Sequence, residues 1–292
     1  MTQQDAIVRR GVLGDAAAPI GTYRPWDEPP AACKPGLLPR LTSAIRLPFW
    51  HEAQAFTQRR VIERYPMWQS PPLDAAGLPV LLVGGMASTP MLLAPLRDLL
   101  VRLNCRVAVA PVRLGIGCGE ETARIVETAL ADLTGETSAP AVLIGHSRGG
   151  QLARAVAVRR PQLLRGLITL GAPLTRMLAL HPLLLAQVAA LGAAGALGVP
   201  GVLRPGCRWG ACCAGLRADL AGPFPSQVPF LSVYSLTDRI VDWRSTLDPA
   251  ARHHEVSASH GGLTWDPASL TVILGELTAI VDRPQPVAPA VA

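Results

Sequence analysis

Val142-Leu143-Ile144-Gly145-His146-Ser147-Arg148-Gly149-Gly150 reads as a buried apolar strand running directly into a G-x-S-x-G turn. The small residues have a physical reason: a serine set on a sharp strand-to-helix turn crowds the backbone on both sides, and only glycine relieves the crowding. Gln151 to Val158 continue with helical character, which places Ser147 at a helix N-terminus. Amides and dipole there stabilise an oxyanion formed when the hydroxyl attacks a carbonyl. A lone G-x-S-x-G is common, whereas one between a strand and a helix is specific. The competing reading is a serine that only caps the helix.

Around this segment, from Leu78 onward, apolar runs alternate with amphipathic segments, the mark of βαβ units and a parallel sheet in an α/β fold. The predicted strands are Val80 to Val83, Val107 to Ala110, Val142 to Ile144, Leu167 to Leu170, Phe230 to Tyr234 and His254 to Val256. Met91 to Leu103 and Glu120 to Leu133 carry apolar positions at helical spacing, and Asp266-Pro267 opens a last helix to about Val281. Residues 78–173 and 228–283 are the expected core, and 174–227 an insertion. Between Arg176 and Arg204 no residue is charged, which on length alone fits a membrane span. Pro182, Pro200 and several glycines make a lid of short helices the simpler reading, with a buried helix pair as its rival. Residues 1–77 form a Pro- and Trp-rich arm expected to pack on the core, with one short amphipathic helix in Ile45 to Val61 and no assigned chemistry. Residues 284–292 are an expected mobile tail.

A serine hydroxyl needs a histidine base held by an acid. His260, in Ser259-His260-Gly261-Gly262, lies in a loop before the last helix and suits the role better than His51, His146, His181, His253 or His254. In Val233-Tyr234-Ser235-Leu236-Thr237-Asp238-Arg239-Ile240-Val241-Asp242, Asp238 stands just past a strand and 22 residues before His260. Asp242 is the competing acid, but Trp243 and Arg244 after it look like a helix start that Asp242 would cap.

These residues resemble the α/β-hydrolase family, and within it small bacterial lipases and esterases in which a Y-S-x-x-D-x-I-V segment carries the triad acid. The chain order Ser147, Asp238, His260 agrees with that family, and the resemblance spans roughly Leu78 to Val281 without reaching the arm. It implies an α/β-hydrolase fold with a mostly parallel central sheet flanked by helices. It also implies a serine esterase or lipase that cleaves carboxylic esters through an acyl-enzyme on Ser147. By the same resemblance the backbone amides of Met86 and Arg148 form the oxyanion hole, although Val83-Gly84-Gly85-Met86 has Gly84 where a histidine is often found. Arg148 replaces a small or apolar residue and opposes the helix dipole, so its side chain is expected to pair with an acid or point to solvent. The alternatives are an acyltransferase using the same acyl-serine and a non-catalytic ligand-binding protein of the same fold.

Composition narrows the remaining classes. The 292 residues are 49% hydrophobic and 16% charged, enough for one large core. The net charge of +6 is almost all arginine, Lys34 being the single lysine, without a clustered basic footprint; nucleic acid is not an expected partner. The start of the chain lacks the pattern of a secretory signal, so a cytoplasmic location is expected. Gly115-x-Gly117-x-Gly119 lacks the spacing of a dinucleotide fingerprint, and no cofactor is expected. Cys207-x4-Cys212-Cys213, even with His253-His254 added, lacks paired C-x2-C knuckles, so no metal is expected.

Overall fold

Five short, largely apolar runs and one polar edge segment become six parallel strands: β1 (Pro79–Val83), β2 (Arg106–Val109), β3 (Ala141–His146), β4 (Leu164–Leu170), β5 (Phe230–Ser235) and β6 (Arg252–Val256). The structure, a computed structural model, describes Glu52, Ile62 and residues 65–283. The strands lie in the order β2-β1-β3-β4-β5-β6, every adjacent pair parallel. The helices are α1 (Pro66–Gln69), α2 (Pro90–Arg102), α3 (Gly119–Thr137), α4 (Arg148–Arg159), α5 (Pro182–Ala196), α6 (Gly206–Trp209), α7 (Ala214–Ala221) and α8 (Pro267–Val281).

Both faces of the sheet are covered, which is why β1 and β3 are apolar without alternation and buried at every residue. Alternate side chains feed two cores. Val80, Leu82, Val142 and Ile144 pack with Leu96 and Leu99 of α2 and Ile273 and Leu277 of α8. Leu81, Val83 and Leu143 meet Val126 and Leu130 of α3, Leu152 and Val156 of α4, and Leu216 of α7. Each such leucine or isoleucine contributes about 1.5–3 kcal/mol relative to exposure. The edge strands β2 and β6 are largely exposed, which explains why Arg252, His253 and His254 can occupy a strand.

Helix starts follow local chemistry. Asp266 accepts from the Ala268 amide at 2.9 Å and Pro267 follows at the first helical position of α8. Glu120 and Glu121 sit in the first turn of α3, where carboxylates complement the dipole. The expected mobile tail and most of the arm, including all of the Ile45 to Val61 helix except Glu52, lie outside the described residues; Glu52 is helical.

The insertion between β4 and β5 contains α5, α6 and α7. Most of α5 is exposed or half-buried, with only Gly192 and Gly195 buried, so it is not a buried structural helix. No described helix is long and apolar enough to cross a membrane. The end of α7 is fixed by Arg154 of α4, a buried side chain whose Nε donates to Asp248 Oδ2 at 2.5 Å while Nη1 and Nη2 donate to the carbonyls of Asp219 at 2.6 Å and Gly222 at 3.2 Å. Arg154→Ala leaves Asp248 as an uncompensated charge, and a loss of about 3–5 kcal/mol is expected in urea denaturation; a loss below about 1 kcal/mol would show that Asp248 finds another partner.

Candidate active site

The turn after β3 has the geometry its glycines require. Ser147 has φ 55° and ψ −127°, a left-handed conformation that a non-glycine residue adopts at a cost of about 1–3 kcal/mol. A side chain at Gly149 would overlap the Val83 carbonyl, and one at Gly145 would overlap Gly150. Glycine at both positions therefore lets α4 start directly against β1 and β3, and the Ser147 amide is tied to the Leu170 carbonyl at 2.8 Å.

The two loops at the same end of the sheet bring His260 and Asp238 together. Asp238 follows β5; its Oδ1 accepts from the amides of Ile240 at 2.8 Å and Val241 at 2.9 Å, which aims Oδ2 at His260 Nδ1, 2.7 Å away. Since a carboxylate only accepts, Nδ1 carries the proton in this bond and Nε2 is left as the basic nitrogen of a neutral ring. Asp242, the competing acid, caps the short helical turn Trp243–Thr246 through the Arg244 amide at 3.1 Å and pairs with Arg176. Among the other described histidines, His181 caps α5, His253 bonds the Asp248 carbonyl at 2.9 Å, and His254 is exposed on β6.

Sequence reasoning missed two supports of His260. His146 packs its ring against that of His260, centroids 4.7 Å apart, and its Nε2 lies 2.9 Å from the His260 carbonyl. Burial, and then the neighbouring His260, push the His146 pKa down to about 3; the neutral ring must donate from Nε2, because the carbonyl only accepts. Glu52, from the arm, accepts from the His260 amide at 2.9 Å, the Gly261 amide at 2.8 Å and Ser259 Oγ at 3.0 Å. The arm, to which the sequence assigns no chemistry, therefore bears on the site through Glu52. A long-range contact of 208 residues in sequence has no local signal.

Burial alone would lower the His260 pKa, but the Asp238 carboxylate, through its charge and hydrogen bond, and the Glu52 charge reverse this and hold it above the ordinary imidazole value. Ser147 Oγ makes no hydrogen bond to His260 or to any other described residue. The amides of Met86 and Arg148 are likewise not taken by any described acceptor. Gly85 packs directly against the serine turn, since a side chain there would begin 2.8 Å from Ser147 Cβ and 3.3 Å from the Arg148 nitrogen. Among the described residues the Arg148 guanidinium pairs with no acid, and it is half-buried instead of projecting into solvent. It donates from Nη2 to the Gly117 carbonyl at 2.8 Å and from Nη1 to the Gly115 carbonyl. The Gly115-x-Gly117 loop thus serves as a receptor for Arg148, and Gly115 in turn packs on Gly85 and Met86.

This sheet order, with the serine turn after β3 and the acid and histidine loops after β5 and β6, is the α/β-hydrolase fold. A lipase of Bacillus licheniformis in its mature form superposes with a TM-score of 0.53 at 13% identity, covering 71% of this chain and 94% of its own. An α/β-hydrolase enzyme from a lagoon-sediment metagenome of Mar Chica, Morocco, gives 0.50 at 15% identity, covering 71% and 93%. A structure from a study of two metagenome-derived lipolytic enzymes gives 0.50 at 19% identity, covering 70% and 94%. At these identities the likeness is one of fold. No protein-family model and no curated protein sequence matches the chain.

Because the folded His260 pKa is raised, the stability from the Asp238–His260 pair is fully present below the unfolded imidazole value of about 6.5 and is lost as pH rises through the folded value. NMR titration of His260 is expected to give a pKa above about 6.5, falling in Glu52→Gln and falling further in Asp238→Asn. An unchanged value in Glu52→Gln would remove Glu52 from the site's electrostatics.

Proposed function

We propose that the chain is a serine hydrolase cleaving carboxylic esters, with Ser147 as nucleophile, His260 as general base and Asp238 as the acid that orients it. The observation that carries this reading is the Asp238–His260 bond of 2.7 Å at the same end of the sheet as a serine in a left-handed strand-to-helix turn. In the first half-reaction Ser147 Oγ attacks the ester carbonyl and His260 Nε2 takes the hydroxyl proton. Asp238 keeps Nδ1 protonated and stabilises the imidazolium. The free amides of Met86 and Arg148 receive the oxyanion, an arrangement worth about 2.7–4 kcal/mol per donor in acyl transfer. His260 then protonates the leaving alcohol, and water, deprotonated by the same nitrogen, releases the acid. Catalytic hydrogen bonds to the serine commonly tighten only when substrate is bound, so the unbonded Oγ fits a ligand-free site.

The insertion supports an apolar acyl group. Its entry is bonded to the acid loop, His181 N to the Ile240 carbonyl at 2.9 Å, and its exit to the glycine loop, Leu203 N to the Ile116 carbonyl at 2.7 Å. The apolar α5 lies in sequence between anchors that flank the two sides of the serine, and we assign it the role of a cover over the acyl chain.

Hydrolysis of p-nitrophenyl esters of increasing chain length tests the reading. Ser147→Ala and His260→Ala are expected to lower kcat by about 10⁴–10⁶ and Asp238→Ala by about 10⁴, with optimum activity on medium or longer acyl chains. The acid limb of kcat/KM should follow the raised His260 pKa, activity rising with pH as the ring loses its proton. Preferential acyl transfer to an added alcohol would make the chain an acyltransferase. A folded sample that neither hydrolyses any ester nor labels at Ser147 with a fluorophosphonate would sink the enzymatic reading.

A further inference from the structure

Four thiols from two distant stretches of chain converge beside the glycine loop. Cys118 is the residue before α3, Cys207 lies in α6, and Cys212 and Cys213 are in the short turn Ala211–Cys213. Their sulfurs all lie within 4.8 Å of one another, with Cys118 to Cys213 at 3.5 Å and Cys212 to Cys213 at 3.9 Å. Four sulfurs bound tetrahedrally at about 2.3 Å from zinc stand about 3.8 Å apart, so a mononuclear ion fits once the widest separations, up to 4.8 Å, close by as much as about 1 Å. We propose that Cys118, Cys207, Cys212 and Cys213 form a closed structural zinc site that fastens the insertion to the loop beside the serine. The spacing argument missed it because the fourth ligand, Cys118, is 89 residues before Cys207 in sequence; His253 is engaged elsewhere.

The surroundings complete the charge balance. Binding takes four neutral thiols and Zn²⁺ to a tetrathiolate with two negative charges and releases four protons; no oxidant is involved. A dianion at this half-buried position is favoured by nearby positive charge, and two sources are present. Arg148 has no carboxylate partner among the described residues, only the carbonyls of Gly115 and Gly117. Its Nη2 and the Cys213 sulfur lie 3.7 and 3.6 Å from the point where a Gly119 side chain would begin, which puts the cation within about 7 Å of that thiol. Cys118 also stands at the N-terminus of α3, whose positive end faces a thiolate. With all four positions filled by protein, the ion has no open site for water, and its part is to hold structure. A half-buried cation with no carboxylate partner among the described residues, and four sulfurs within 4.8 Å of one another, are independent observations that meet in one region.

Metal content decides the proposal without reference to catalysis. The full chain, purified under reducing conditions from zinc-supplemented cells, is expected to carry roughly one zinc per chain by mass spectrometry. Exchange with Co²⁺ should give intense thiolate-to-cobalt charge transfer and tetrahedral ligand-field bands. Cys212→Ser, at the exposed ligand, and Cys118→Ser should each lose most of the zinc, whereas Cys105→Ser, a thiol outside the cluster, should retain it. The cobalt spectrum of the unaltered chain keeps the test valid if a variant fails to fold. A folded chain without stoichiometric zinc, having either four titratable thiols at these positions or a mass deficit of two hydrogens per bridge from disulfides, overturns it.

Discussion

The close approach of α4 to the sheet at the end of β3 governs the rest of the molecule. Gly149 sits where any side chain would enter the Val83 carbonyl, and Ser147 is held in a left-handed conformation with its amide bonded to Leu170. Such a turn persists only where its surroundings over-determine it. Here they do, because β1 and β3 are buried at every residue and α4 packs its buried face across them. The turn leaves Ser147 half-buried and the first amide of α4 without a partner among the described residues, so strain and packing together create the polar end of the sheet.

That end concentrates charge on one imidazole. Asp238 comes from the loop after β5, Glu52 from the arm, and His146 from β3 itself, and each touches a different part of His260: the ring nitrogen, the backbone amide and the backbone carbonyl. His260 is buried, and the two carboxylates outweigh the desolvation that would discharge it. His146, equally buried and with no carboxylate bonded to it, is driven the other way. Two histidines whose rings touch thus have opposite proton affinities, one suited to proton transfer and one to support.

Arg148 joins this chemistry to the insertion. Its amide faces the serine side and its guanidinium the glycine loop, which also receives the chain leaving α5 through Leu203. Farther along the same surface, Glu120 accepts from Arg159 at 2.8 Å and from the Leu216 amide at 3.1 Å, and Arg159 binds Asp219 at 2.6 Å. The later part of the insertion is therefore braced against α3 and α4, while α5 rests on its two ends.

The six expected strands and the principal core helices were legible in the sequence, the inner strands because buried parallel strands must be continuously apolar and the helices between them because they are amphipathic, whereas the exposed edge strand β6 carried only a weak apolar signal. The serine turn was legible for a local reason as well: its glycines answer crowding within a few residues. The separation of Asp238 from Asp242 was also readable, since a cap declares itself by the helix that follows it. Glu52, the brace from His146, the acceptor loop for Arg148 and the joining of Cys118 to the other three thiols were decided by tertiary structure alone. Each is a contact between residues far apart along the chain or on separate loops, fixed by how the sheet stacks those loops at one end, and neither periodicity nor spacing encodes such distances.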